Sequence, residues 1–179
     1  MSNGTSPDAA EVLSKFELAP HHLEALLSDV PASRLEVEAH PGGWTIAEVV
    51  HHIADGDALW KACILAGLGE ADPVFSLEWY WSLPQEEWSR CWHYADRAIA
   101  ASLAMFRANR SITAAILAST PCWWERQVII KSRSGELEPT SLLEVVESQA
   151  NHAMQHVEEI RKALAPPPSG EIASRLTNR

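Results

Sequence analysis

The stretch Trp44-Thr45-Ile46-Ala47-Glu48-Val49-Val50-His51-His52-Ile53 decides the fold. Thr45 with Glu48 three residues on forms a capping box, in which the hydroxyl accepts a first-turn N–H and the carboxylate reaches back to the cap's own N–H. Trp44 and Val49 flank the cap at the spacing of a hydrophobic staple. Beyond it, Ile46, Val49, Ile53, Trp60 and Ile64 share one side of a helix at ~100° per residue. A helix to about Leu68 is therefore predicted. One long apolar stripe needs other elements to cover it.

Working outward, Ser6-Pro7-Asp8-Ala9 opens a first helical stretch ending near Val30. Pro20 divides it into two pieces, because proline sits well at a helix start and badly in an interior. Downstream, Phe75 to Trp88 is a tryptophan-rich connection interrupted at Pro84 and set off by Pro73. A third helix is predicted from about Gln85 to Ala118, with Trp88, Trp92, Ile99, Leu103 and Phe106 at helical spacing. Gln127-Val128-Ile129-Ile130-Lys131 followed by Ser134-Gly135 reads as a short hairpin. Ser141-Leu142-Leu143-Glu144 is a second capping box, and the last helix runs to about Leu164, before Pro166. Residues 1–165 read as one domain and 166–179 as a mobile tail. The fold class is all-α, a bundle of four helices with a short β-hairpin before the last.

The 179-residue length suits one domain. Acidic residues outnumber basic ones 24 to 14, a net charge of −10. That disfavours nucleic acid and anionic membrane as partners and leaves a small molecule. Cys63, Cys91 and Cys122 form no C-x-x-C pair and read as free thiols of a reducing cytosol. The polar start and the lack of a long apolar run place the chain, as an expectation, in the cytoplasm.

On the last helix, His152 and His156 stand four residues apart, ~40° and ~6 Å from each other, close enough for two imidazoles to reach one ion. Leu142, Val145, Ile160 and Ala163 share their face, so both rings are directed into the core. One histidine on an apolar face is ordinarily a core residue bonded to a neighbour; two side by side need several partners, or share one metal. His52, at the edge of the second helix's stripe, is a candidate third ligand, whereas His51 points to solvent by the same reckoning. Gly56, one turn beyond His52, leaves room beside such an ion. Three imidazoles leave coordination positions open, the catalytic pattern. Ala153 stands where H-E-x-x-H needs glutamate, which excludes that peptidase chemistry. Asp55 or Asp57 is a candidate general base or acceptor for an imidazole N–H, with Asp55 equally readable as a solvated helix residue. His21, His22, His40 and His93 read as structural. Trp79 and Trp81 read mainly as packing residues, with a pocket wall as the alternative. A metal-binding or helical interaction module without turnover, and a metal-free bundle with a satisfied polar core, are the rival readings.

Gly43-Trp44-Thr45-Ile46-Ala47-Glu48-Val49-Val50-His51-His52-Ile53-Ala54-Asp55, with His152-Ala153-Met154-Gln155-His156-Val157-Glu158-Glu159-Ile160 about a hundred residues on, resembles the DinB/YfiT-like superfamily. The likeness covers Leu18 to Leu164. It implies a four-helix bundle of up-down-down-up topology holding a divalent metal, often zinc or nickel, on His52, His152 and His156. It further implies a homodimer and an activity among low-molecular-weight thiol S-transferases, a thiol-dependent isomerase and metal-dependent hydrolases. The YfiT-type pattern often has a further histidine where this chain has Asp57.

Overall fold

Both capping boxes form. In the computed structural model, which describes residues 7–69 and 72–166, the Glu48 N–H donates to Thr45 Oγ1 (3.2 Å) and the Thr45 N–H to Glu48 Oε2 (2.9 Å). At the last helix the Glu144 N–H donates to Ser141 Oγ (3.2 Å) and the Ser141 N–H to Glu144 Oε2 (2.8 Å). The elements in chain order are α1 (Pro7–Leu27), α2 (Ala32–Leu35), α3 (Ile46–Gly69), β1 (Val74–Ser76), α4 (Glu78–Trp81), α5 (Gln85–Cys91), α6 (Ile99–Ala118), β2 (Gln127–Lys131), β3 (Leu137–Ser141) and α7 (Leu142–Leu164). The four long helices α1, α3, α6 and α7 make the expected bundle: α3 packs on α6 and α7, and α1 packs on the same two. Where α3 meets the start of α7, a Cβ on Gly67 would lie 2.6 Å from Leu142 Cδ2, so a larger residue there would displace the buried Leu142 side chain.

The hairpin is present, with β2 antiparallel to β3 in the register Gln127↔Ser141 to Lys131↔Leu137. A strand not read from the sequence, β1, joins β2 in parallel and makes a three-stranded sheet. Its three residues are too few to show an alternating pattern.

Two expectations about helices are corrected. α1 is one continuous helix with Pro20 inside it. Proline there frees the carbonyl of Phe16, four residues back. Arg110 on α6 takes it, its Nη1 donating to Phe16 O at 3.1 Å. The third helix, in contrast, is two: α5 ends at Cys91, His93 adopts a left-handed φ of 53°, and a 3-10 turn at Tyr94–Asp96 precedes α6. Tyr94 is buried in this break and Arg97 reaches back to Asp55, so tertiary contacts hold a bend that the helical spacing did not show.

The core has two apolar clusters. One gathers Leu23, Ile46, Val50, Ile53, Phe106, Val157 and Ile160; the other, against the sheet, gathers Phe16, Ile64, Leu117, Trp123, Val128, Leu142 and Val146. Arg110, Asp57 and Gln149 are buried polar residues of the same interior. Among the described residues no helix is long and apolar enough to cross a membrane. The expected tail falls at 167–179, outside the described residues, apart from Pro166.

Candidate metal centre

α3 and α7 lie side by side, and the faces they turn to each other carry His52 on one and His152 and His156 on the other. One ligand-capable atom from each ring lies within 4.8 Å of the other two. The ring centroids are 5.3 Å apart for His52 and His152, 5.2 Å for His52 and His156, and 4.7 Å for His152 and His156, all edge to face. Nε2 of His152 and Nε2 of His156 are 3.2 Å apart. A tetrahedral ion with metal–nitrogen bonds of about 2.0–2.1 Å sets two of its nitrogens about 3.3 Å apart, so this pair already has the right separation.

The protonation of the rings suits the same purpose. Burial, reinforced by the other two histidines, lowers the pKa of His52 to about 3; burial, with His156 and Arg110, lowers that of His152 to about 4. Both are therefore neutral near pH 7, with a lone pair to offer. His156 Nδ1 lies 2.8 Å from Glu159 Oε2, and donation there assigns the proton to Nδ1 and the lone pair to Nε2. His52 makes no side-chain hydrogen bond among the described residues; Trp44 packs on it with centroids 4.8 Å apart. Three imidazole nitrogens facing one point, one of them oriented by a carboxylate, are a donor set that fits zinc or nickel, and ligand type alone does not choose between them.

Asp55 and Asp57 are not brought to this point. Three and five residues beyond His52, neither joins the histidine cluster. Both oxygens of Asp55 accept from Arg97 Nη1 (2.9 and 2.8 Å), so it is not the solvated residue that was one of its two readings. Asp57 is buried and accepts from Arg110 Nε. Burial raises its pKa against the opposing pull of Arg110. The acceptor for an imidazole N–H is instead Glu159, which the sequence reading passed over; its place three residues after His156, on the same helix face, was the available signal. His40 was read as structural, yet its Nε2 lies 3.4 Å from Glu159 Oε1. A Cβ on Gly43 would collide with the His40 ring, so the glycine allows that placement.

His51 is also corrected. It is fully buried, with Nδ1 2.7 Å from Ser102 Oγ of α6. A single apolar stripe leaves the opposite face to solvent, but α3 is covered by α6 on one side and α7 on the other, so adjacent residues His51 and His52 are both enclosed. Cys63 is buried, with its thiol pushed up to about 12, and serves as a packing residue rather than a nucleophile.

Two cavities reach both His52 and His152. One, of about 590 Å³, has a polar wall that includes His40, Glu48, Ser89 and Glu159. The other, of about 250 Å³, lies beside His52, Gly56 and His152 and carries Trp60, Tyr80 and Trp81. Trp81 thus walls a pocket, while Trp79 is half exposed and meets Trp88 edge to face.

Comparison with known proteins returns one consistent picture. The model of a family described as the DinB superfamily matches residues 15–160. An Oceanobacillus iheyensis protein named "Putative metal-dependent hydrolase" is 26% identical over 98 residues, 55% of this chain. The match spans 54% of that relative, so the chain covers about half the length of the curated relative it resembles. Among solved structures, YfiT from Bacillus subtilis, described as "a probable metal-dependent hydrolase with an unusual four-helix bundle topology", superposes with a TM-score of 0.76 over 91% of this chain and 90% of its own, at 19% identity. At that identity the likeness establishes the shared fold.

Proposed function

The chain belongs to the DinB superfamily, and from that premise we propose that it is a metal-dependent enzyme of hydrolytic type acting on a small molecule, with His52, His152 and His156 as the ligands. The observation that supports this most directly is the convergence of three imidazoles on one point between α3 and α7, with two cavities reaching His52 and His152. A divalent ion bound there supplies a Lewis acid that lowers the pKa of a coordinated water or thiol.

The protein's own residues do the rest. Glu159 holds the proton of His156 on Nδ1 and fixes the ring plane; His40 lies near the other oxygen of that carboxylate. Trp44 packs on His52 and restrains its ring. Gly56 leaves open space one turn beyond His52. Asp55 and Asp57 act on this reading as partners of Arg97 and Arg110 rather than as bases. A second reading, transfer of a low-molecular-weight thiol, rests on the same Lewis acid, which would lower the pKa of a bound thiol as it would that of water.

The test begins with metal-stripped protein, purified without an affinity tag and titrated with Zn²⁺ and with Ni²⁺. One equivalent should bind, and a ligand concentration of 100 Kd should raise stability by about 2.7 kcal/mol, while His152→Ala loses both effects. Loaded protein is then offered ester and amide panels, and a thiol with an electrophilic acceptor. Metal uptake with turnover of none of these leaves a binding module; no metal uptake removes the enzymatic reading.

A further inference from the structure

The smaller cavity differs in kind from the larger one. Leu59, Trp60, Leu77, Tyr80 and Trp81 make its apolar wall, Gln85 and Ser148 are uncharged polar neighbours, and among the described residues no Lys, Arg, Asp or Glu lines it. Gly56 borders it, and a Cβ at that position would meet nothing within 4 Å. Gln149, on α7 one turn before His152, also borders it while being only 5% exposed. Its backbone carbonyl accepts from Arg110 Nη2 (2.9 Å), but among the described residues its side-chain amide makes no hydrogen bond. A nearly buried amide without a partner, beside an aromatic wall, offers a polar hook to a bound ring; buried amides are ordinarily paired.

We infer that this chamber is the specificity pocket of the site: it receives a flat, uncharged ring, and the Gln149 amide bonds a carbonyl or hydroxyl oxygen attached to that ring. The aromatic side chains supply the faces for a planar group, and the absence of a charged side chain in the wall rejects ionised groups of the same size, which lose hydration on entry without gaining a partner. The inference deepens the hydrolase reading and rests on it only for the claim that the ring belongs to a substrate. Adjacency of the chamber to His52 and His152 means that a bond attached to the ring is presented at the metal centre.

The probes are benzamide, benzoate and benzylamine, titrated into metal-free protein and followed by NMR and tryptophan fluorescence. Benzamide should bind at least tenfold more tightly than either charged analogue. Gly56→Leu should weaken benzamide at least tenfold. Gln149→Leu should weaken benzamide about five- to tenfold, the worth of one hydrogen bond, and leave toluene unchanged. Trp81→Ala, an independent variant of the same wall, should weaken benzamide and admit 2-naphthamide. Equal binding of benzamide and benzoate, or benzamide binding indifferent to both Gly56→Leu and Trp81→Ala, overturns the assignment. The two readings fail separately. If benzamide binding responds to these variants but the zinc-loaded protein hydrolyses no ester, the chamber stands and the hydrolase falls. If esters are hydrolysed and Gly56→Leu slows benzoyl and acetyl esters alike, the hydrolase stands and the chamber falls.

Discussion

Arg110 and His52 are both polar residues enclosed by the helices of one bundle, yet their surroundings are built in opposite ways. Arg110, 1% exposed, spends its donors on Asp57, on the Phe16 carbonyl and on the Gln149 carbonyl, and its guanidinium lies 3.8 Å over the Phe16 ring. Opposite charge and carbonyl lone pairs satisfy it within the protein. His52, 6% exposed, faces two more imidazoles, which neither neutralise it nor complete its hydrogen bonding. A cluster that closes on itself contributes to holding the fold; a cluster of like donors around a shared point fits an ion from outside.

The sharpest way to break this contrast is Arg110→Met. It leaves the Asp57 carboxylate buried without its partner and the Phe16 carbonyl without a donor, and should cost about 3–5 kcal/mol by chemical denaturation. Adding Asp57→Leu should recover much of that loss. A single variant as stable as the parent would mean that the ion pair is not what holds this part of the interior.

Acid should strike the other cluster. The unfolded metal-free chain takes up protons on His52 and His152 below pH 6.5, whereas the folded chain resists until about 3 and about 4. Stability present above pH 6.5 is therefore lost as pH falls toward 4, at about 1.4 kcal/mol per pH unit for each imidazole. Urea unfolding of stripped protein between pH 7 and 5 reads the slope; His152→Leu should remove about half of it, and bound Zn²⁺ should shift the loss to lower pH.

A milder change separates orientation from ligation. Glu159→Gln should weaken metal binding about 10–100-fold by calorimetric titration while changing the stability of the metal-free protein by less than about 0.5 kcal/mol. Unchanged affinity would show that the His156 ring needs no carboxylate to hold it. Smallest of all is Gly56→Ala, which should stabilise the protein by up to about 1 kcal/mol because the added methyl meets open space and removes a helix-interior glycine. A destabilised variant would indicate that the space beside His52 is closed.

The capping boxes at Thr45 and Ser141, the span of α3 and α7 and the inward direction of His52, His152 and His156 were legible because each depends on residues within a few positions along the chain. Backbone hydrogen bonding and helical periodicity are local, and a sequence displays them directly. The continuity of α1 through Pro20, the burial of His51, the diversion of Asp55 and Asp57 to arginines, and the approach of His40 to Glu159 belong to the tertiary structure. In each case a side chain from another element decides the outcome: a donor for a freed carbonyl, a second helix over a face that one apolar stripe leaves open, a cation within reach of a carboxylate. Such partners are tens of residues away along the chain, so only the packing of the bundle brings them together.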